Sequence, residues 1–278
     1  MKIILGDNQF FGINHFDLEK GASIKKKFDS EEKIVSFIFE ALALGMDGFM
    51  INSNDEGYKI ISKETFPYQK EIHYSIPYAH KYANLVNEEG MMSLLSHVVK
   101  NTSMISNLKS GARLVTSRNL KNLVPLAVDL EVPKQLAKGS HIYLQNIMTD
   151  LVLGLGRYDL IEQFIVSVRK SGYKPGIVTL NPIKLYKVIS ELGIDQKDLI
   201  ICFNVNDAGF NVFPNKQEVE NFAKATHTFQ KMGMSIFASG AGNIPQSIKY
   251  IKSLNLDYVV FGTSRIKNVK ANFEALKA

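Results

Sequence analysis

The chain has 278 residues, of which 45% are hydrophobic and 22% are charged, and its formal net charge is +6. This composition is typical of a globular protein with one large core, and it excludes disordered and fibrous classes. The lysines are spread along the chain apart from one run, Lys25 to Lys27. Because nucleic-acid binding requires a concentrated basic face, we expect no nucleic-acid partner.

The amino terminus lacks a basic segment followed by an apolar one, and no stretch reaches the ~18 apolar residues of a membrane span. We therefore expect a cytoplasmic protein with no membrane partner. Cys202 is the single cysteine, so an intrachain disulfide is excluded. The six histidines show neither HxH nor HExxH spacing, and the sequence therefore predicts no metal site.

Short apolar runs of strand length alternate with longer segments of helical period, which is the pattern of repeated βα units. This alternation predicts an α/β fold, a (β/α)8 TIM barrel that residues 1–278 form as a single domain. The eight predicted strands are Ile3 to Gly6, Gly48 to Asn52, Ile72 to Pro77, Ile142 to Asn146, Gly176 to Asn181, Leu199 to Asn204, Ser235 to Ser239 and Tyr258 to Gly262.

Residues 82–140 are too many for one crossover helix between strands three and four. The sequence predicts a helix at 88–100, a short apolar piece at 113–115 and a second apolar stretch at 120–132 that Pro125 interrupts. We interpret this region as a helical insertion. It either covers the mouth of the barrel as a lid or packs on the barrel wall.

Four predicted strands end in asparagine: Asn52, Asn146, Asn181 and Asn204. Parallel strands of a barrel are buried on both faces, so polar residues at their carboxyl ends line the mouth that holds ligands. The alternative is that asparagine follows these strands only as a turn former. Candidates for binding a small-molecule substrate at this mouth are Asp7, Asn8, His15 and Asn204.

Two glycine-rich turns follow the last two predicted strands, and they comprise Ser239, Gly240 and Gly242 and then Gly262, Thr263, Ser264 and Arg265. In barrels these two loops commonly bind phosphate, because backbone N–H groups and a helix amino terminus point at the anion. Arg265 could add a charge-assisted contact. The alternative is that the glycines only form tight turns.

Several stretches agree in order and spacing with one known family. They are Lys170 to Asn181, Met232 to Gly240, Phe261 to Leu276, Ile4 to Gly12, and Ala41 to Gly45, and Gly262 and Asn272 are ten residues apart as in that family. On these stretches the chain resembles a divergent member of the aldo-keto reductase superfamily, NAD(P)-linked oxidoreductases with a TIM-barrel fold. Residues 82–140 have no counterpart in the resemblance.

The resemblance implies that Ser264, Arg265 and Asn272 hold the adenosine phosphate end of NADP and that Asn181 lies near the nicotinamide amide. That family's reaction uses a tyrosine acid supported by Asp, Lys and His, since hydride delivery to a carbonyl leaves an alkoxide that must be protonated. The tetrad is not intact here. Asn52 stands at the Asp position, and Asn146 stands at the His position. Tyr58 meets the tyrosine position only with a one-residue slip, and Lys81 lies several residues past the expected lysine. Ala238 stands where a ring-stacking tyrosine is expected.

The resemblance therefore implies an aldo-keto reductase-like oxidoreductase that binds NADP or NAD and acts on a small carbonyl or sugar-like substrate. Its modified proton relay would run through Tyr58 or Lys81. Two alternatives stay open: a lyase or isomerase of a phosphorylated sugar-like substrate, and a non-catalytic ligand-binding relative. The oligomeric state is not indicated by the sequence.

Overall fold

The fold is known from a computed structural model that describes residues 1–12, 18–63, 66, 70–77, 121 and 123–278. Eight parallel strands form a closed barrel in chain order, and β8 pairs with β1. The predicted (β/α)8 fold is confirmed. The strands are β1 (Lys2–Leu5), β2 (Gly48–Asn52), β3 (Glu71–Ile76), β4 (His141–Leu144), β5 (Lys174–Thr179), β6 (Ile200–Asn204), β7 (Gln230–Met234) and β8 (Tyr258–Phe261).

The helices of the described ranges surround this barrel. They are α1 (Leu18–Lys25), α2 (Glu31–Ala43), α3 (Asp55–Ile61), α4 (Leu123–Glu131), α5 (Asn146–Gly154), α6 (Tyr158–Lys170), α7 (Pro182–Glu191), α8 (Lys216–Lys224), α9 (Ile244–Lys252) and α10 (Ile266–Lys277). Several begin at a side-chain cap. The amides of Asn54, Asn181, Asn215 and Asn243 accept hydrogen bonds from backbone N–H groups in the first turns of α3, α7, α8 and α9. Among these described helices, none is long and apolar enough to cross a membrane.

The prediction for strand seven was wrong. Residues 235–239 form a turn and a short 3-10 helix (Ala238–Gly240), and β7 lies five residues earlier. Ser235, Ala238 and Ser239 have φ angles of 56°, 47° and 57°, which are left-handed values that a strand does not contain.

Two further boundaries also differ from the predicted ones. β4 ends at Leu144 and β5 ends at Thr179. Asn146 is therefore the first residue of α5, and Asn181 is the cap of α7. Neither asparagine is a strand residue.

Within the predicted insertion, the structure describes α4, which packs against α6 on the barrel wall. Pro125 does not interrupt this helix, because it is the third residue of α4, where the first turn needs no donor from its nitrogen. The predicted helix at 88–100 and the apolar piece at 113–115 lie outside the described residues.

The inside of the barrel is filled by side chains that alternate along each strand. Its apolar part comprises Ile4, Val178, Ile200, Cys202, Met232 and Val260 with Tyr143 and Tyr258. Gly176 leaves room for Tyr143, because a Cβ atom at position 176 would lie 2.4 Å from the tyrosine ring. A larger cluster of buried side chains lies between the outer face of the barrel and the helices.

Candidate functional site

The carboxyl ends of the eight strands meet at one rim, so the residues that follow them share one mouth. Asn52 ends β2, and Asn181 follows β5 by two residues. Ser239 lies in the loop after β7, and Ser264 lies in the loop after β8. Residues far apart in sequence are therefore brought to the same rim, as the barrel prediction requires.

Three side chains from three strand ends form a hydrogen-bonded chain across this mouth, which we call the Asp7 chain. The carboxylate of Asp7 accepts hydrogen bonds from the backbone nitrogen of Asn52 at 2.8 Å and from its Nδ2 at 2.9 and 3.0 Å. The Oδ1 atom of Asn52 accepts a hydrogen bond from Nε2 of Gln145 at 2.6 Å. The chain therefore links the ends of β1, β2 and β4.

Asp7 is a buried carboxyl group, with 4% of its surface exposed. Burial raises the pKa of Asp7 to about 6, because removal from water disfavours the charged form, and the hydrogen bonds from Asn52 oppose this rise. A carboxyl group with such a pKa changes its protonation state near neutral pH. It is suited to exchanging a proton with a ligand.

Gln145 was not among the predicted site residues. The residue chosen from the sequence was its neighbour Asn146, which lies at the start of α5 and is partly exposed. Gln145 itself is buried and reaches Asn52 from the end of β4. Only the end point of the strand distinguishes the two positions, and sequence periodicity does not fix that end point.

Asn204 is buried at the end of β6, and its amide has a role in the loop that follows. Its Nδ2 atom donates to the carbonyl oxygen of Asn211 at 2.8 Å. Its Oδ1 atom is buried without a hydrogen-bond partner among the described residues. An unpaired buried acceptor is costly, which makes this oxygen a candidate to accept a hydrogen bond from a ligand N–H or O–H group.

Glycine is explained by different local contacts at the three positions of the predicted phosphate loops. A Cβ atom at Gly262 would lie 2.1 Å from Oε1 of Gln9, so this glycine makes room for a buried glutamine. At Gly240 the φ angle is +88°, and a Cβ atom added there would meet no described atom within 4 Å, so that glycine serves the turn and leaves open space. Gly242 lies close to Ser247, with 3.0 Å between an added Cβ and Oγ.

The predicted anion-binding residues after β8 lie at the start of α10. Thr263 and Ser264 are partly exposed, and Arg265 is exposed at the cap position of α10. The side chain of Arg265 makes no capping hydrogen bond to this helix. Asn272 lies on the same helix and is partly exposed.

The remaining predicted residues fall into two groups. Asn8 is exposed beside Asp7, and Tyr58 lies on α3 with 40% exposure. Tyr58 interacts electrostatically with Tyr74, whose side chain points to the outer side of β3, and no described hydrogen bond joins Tyr58 to the Asp7 chain. His15 and Lys81 lie outside the described residues.

Two other carboxylates near the rim have structural partners. Asp150 accepts hydrogen bonds from Oγ1 of Thr179 at 2.6 Å and from the backbone nitrogen of Leu180 at 3.0 Å. Asp207 accepts a hydrogen bond from Oγ of Ser247 at 2.8 Å.

Within the part of the chain that the structure describes, no three His, Cys, Asp or Glu residues are grouped so that they could hold a metal ion.

No protein-family model matches the chain, and no curated protein is significantly similar to it in sequence. Two solved structures share its fold, and both are of a protein from Pseudomonas aeruginosa that is provisionally described as an aldo-keto reductase. Each is 11% identical to the chain, with TM-scores of 0.59 and 0.58, and the matches cover 99% of this chain and 88% of theirs. The resemblance predicted from the sequence is thus confirmed at the level of the barrel fold.

Proposed function

We propose that the protein is an aldo-keto reductase-like oxidoreductase that binds NADP or NAD at the mouth of the barrel and reduces a small carbonyl or sugar-like substrate. The observation that carries the proposal is the Asp7 chain, which places a buried carboxyl with a pKa of about 6 at the mouth of a barrel shared with proteins described as aldo-keto reductases. The modified proton relay of this site would then include Asp7.

The residues at the rim fit the chemistry of a dinucleotide. The hydroxyl groups of Thr263 and Ser264, the guanidinium of Arg265 and the first N–H groups of α10 are donors suited to a phosphate. The Oδ1 atom of Asn204, unpartnered among the described residues, is an acceptor suited to a carboxamide N–H. A reduced nicotinamide, when bound, supplies hydride.

The work of the chain's own residues would be to hold and move a proton. A carbonyl that receives hydride becomes an alkoxide, and a neutral carboxylic acid can protonate it. Asp7 is half protonated near pH 6, Asn52 fixes its orientation, and Gln145 in turn holds Asn52. Tyr58 or Lys81 would complete the relay in the form that the sequence suggests.

Cofactor binding tests this proposal directly. We expect NADPH or NADH to raise the melting temperature, since a ligand that binds only the folded state stabilises it by RT ln(1 + [L]/Kd). Binding should also quench the fluorescence of the reduced nicotinamide.

Arg265→Ala should weaken NADPH binding by about ten-fold, because a charge-assisted contact is lost. Lys270→Ala is the matched control, since Lys270 is an exposed cation on the same helix that pairs with Glu274. Absence of binding at millimolar cofactor would refute the proposal.

A second candidate function is a lyase or isomerase of a phosphorylated sugar-like substrate. It is favoured by the same carboxyl group, because ionised Asp7 could abstract a proton beside a carbonyl without any cofactor. This function predicts that sugar phosphates raise the melting temperature and dinucleotides do not. A protein that binds either ligand without turnover would correspond to the non-catalytic alternative.

A further inference from the structure

The end of the barrel opposite the mouth has a polar inner layer. The first residues of the odd-numbered strands are Lys2 of β1, Glu71 of β3, Lys174 of β5 and Gln230 of β7. Lys2, Lys174 and Gln230 lie two or four residues before inward-facing apolar residues of the same strands, so they face inward as well. A barrel layer takes its four side chains from alternate strands and is usually apolar. This layer departs from that pattern.

A cavity of about 730 Å³ opens over this polar layer, and we call it the basal cavity. All four residues of the layer line it, together with Tyr258, the first residue of β8. Thr228 and the loop before β6, residues 194–198, complete its wall. Sites that hold small molecules have volumes of ~300–1,000 Å³, so the basal cavity is large enough for such a ligand.

The inner part of the basal cavity carries a positive charge without a counterpart. The ammonium of Lys2 pairs with the carboxylate of Glu71, so these two charges compensate each other. The ammonium of Lys174 forms no ion pair among the described residues, and the side-chain amide of Gln230 forms no hydrogen bond among them. An ammonium and a free amide donor are groups that bind an oxyanion.

The loop before β6 does not cancel this charge. Asp195 is largely exposed and lies 4.0 Å from the guanidinium of Arg169. Lys197 and Asp198 are exposed neighbours of opposite charge. Because water and salt screen exposed charges, the loop contributes little to the electrostatic potential at Lys174.

Two buried histidines continue the polar region into the barrel. His141 stands beside Lys174 in register, and His73 stands beside His141. Both rings are buried, and neither Nδ1 of His141 nor Nε2 of His73 has a hydrogen-bond partner among the described residues. Such unpaired atoms are costly. A neutral histidine can carry its proton on either ring nitrogen, so these atoms can donate to a ligand that reaches them.

We propose that the basal cavity is a second ligand site, which binds a small oxyanion, a carboxylate or phosphate group, with Lys174 as its counterion. Gln230 donates a neutral hydrogen bond to the same ligand. The strands have four to six residues and are therefore ~13–20 Å long, so one small anion cannot contact both this site and the mouth. The inference does not rest on the proposed function.

NMR titrations with inorganic phosphate and with acetate test the inference, with chloride keeping the ionic strength equal. The ring protons of His141 report binding, and their signals are identified by their absence in His141→Gln. We expect at least one of the two anions to shift them with a millimolar Kd, and the tighter anion identifies the group that the site prefers.

Variants locate the anion. Lys174→Met should weaken binding by about ten-fold, because a charge-assisted contact is lost, and Lys174→Arg should retain it. Lys187→Met is the matched control, since Lys187 is an exposed lysine of α7 that pairs with Glu191. Arg265→Ala, which changes the mouth, should leave the response of His141 unchanged. Thermal unfolding verifies that each variant is folded.

The outcomes separate this site from the mouth. The inference is overturned if neither anion shifts the signals of His141, or if Lys174→Met binds as tightly as wild type. It is also overturned if Arg265→Ala loses the phosphate response and Lys174→Met keeps it, because the anion then lies at the mouth. A protein that binds no dinucleotide but binds an anion through Lys174 would refute the proposed function and support the basal site.

Discussion

The protonation of Asp7 depends on two opposing effects within one hydrogen-bonded pair. Burial raises its pKa to about 6, and the amide and backbone N–H groups of Asn52 hold it below the value that burial alone would give. We predict that Asn52→Leu, which keeps the volume and removes the side-chain amide donor, raises the pKa of Asp7 further above 6. Carbon-13 NMR titration of labelled aspartate measures this change.

The carboxyl group of Asp150 is the internal control for that titration. It is also partly buried, and burial raises its pKa, but its donors are Thr179 and Leu180. Its titration should therefore be the same in wild type and Asn52→Leu. A pKa of Asp7 that stays near 6 or falls in the variant would show that Asn52 does not stabilise the carboxylate.

Gly176 is a position where a single methyl group should be costly. The ring of Tyr143 lies over this glycine, and the hydroxyl of Tyr143 is 2.8 Å from Nδ1 of His73. Because an alanine Cβ would overlap the ring at 2.4 Å, Gly176→Ala should displace Tyr143 and lower the free energy of unfolding by about 1–3 kcal/mol. Urea unfolding measures the loss.

Gly154→Ala is the matched substitution, because a Cβ built at this helical position meets no described atom within 4 Å. It should leave stability unchanged or raise it slightly, since alanine favours a helix more than glycine does. Equal effects at the two glycines would mean that the packing of Tyr143 on Gly176 is not tight.

At the scale of elements, strands whose inner and outer residues are both apolar were predictable from sequence. β7 was not, because Gln230 and Lys231 make it look polar, whereas the run at 235–239 looks like a strand. Lys231 is nevertheless 2% exposed, and its ammonium donates to the carbonyl oxygens of Ala223 and Ala225 at the end of α8. The end of the preceding helix thus satisfies this strand residue, and the alternation of apolar and polar residues does not reveal such a contact.

We therefore predict that Lys231→Met lowers the free energy of unfolding by about 2 kcal/mol, because two helix-terminal carbonyl oxygens lose a buried charged donor. Lys224→Met serves as the control on the same helix, since Lys224 is exposed and pairs with Glu220 at the surface. That surface change should stay within about 0.5 kcal/mol. If both variants unfold at the same urea concentration, the contacts of Lys231 contribute nothing to stability.

The candidate site was predictable as a set of rim residues but not as a network. Asp7 and Asn52 were identified from their places after strands, because parallel strands bring such residues to one mouth. The partner of Asn52 was not identified, since Gln145 and Asn146 differ only in where β4 ends. Asn204 was expected to bind substrate; its Nδ2 holds the next loop, and a ligand contact of its Oδ1 stays a prediction.

At the scale of the whole barrel, the end opposite the mouth contains a buried pair of histidines. His73 and His141 stand opposite each other on β3 and β4, and their rings stack at 4.8 Å with 5° between the planes. Charged and titratable groups face this pair from several strands: Lys2, Glu71, Tyr143, Lys174 and Tyr258. The ring of His73 is 3.6 Å from the carboxylate of Glu71.

Burial lowers the pKa of both histidines, and burial together with the neighbouring His73 and Lys174 lowers that of His141 to about 3. The unfolded chain binds these protons near pH 6.5, so the histidines contribute stability above that pH and lose it as the pH falls. Between pH 7.5 and 5, wild type should therefore lose about 2 kcal/mol more stability than His141→Gln, measured by urea unfolding at each pH.

The comparison with a variant is necessary because Asp7 acts in the opposite direction. Its pKa is higher in the folded protein than in the unfolded chain, so protonation of Asp7 stabilises the fold as the pH falls through 6. This effect is common to wild type and His141→Gln and cancels in their difference. Glu71, whose pKa is lowered to about 2 by His73, titrates mostly below this range.

His227→Gln is the control variant, because His227 is a half-buried histidine of the outer wall. It should change the loss of stability between pH 7.5 and 5 less than His141→Gln does. Parallel pH curves for wild type and His141→Gln would mean that His141 accepts a proton in the folded barrel as easily as in the unfolded chain.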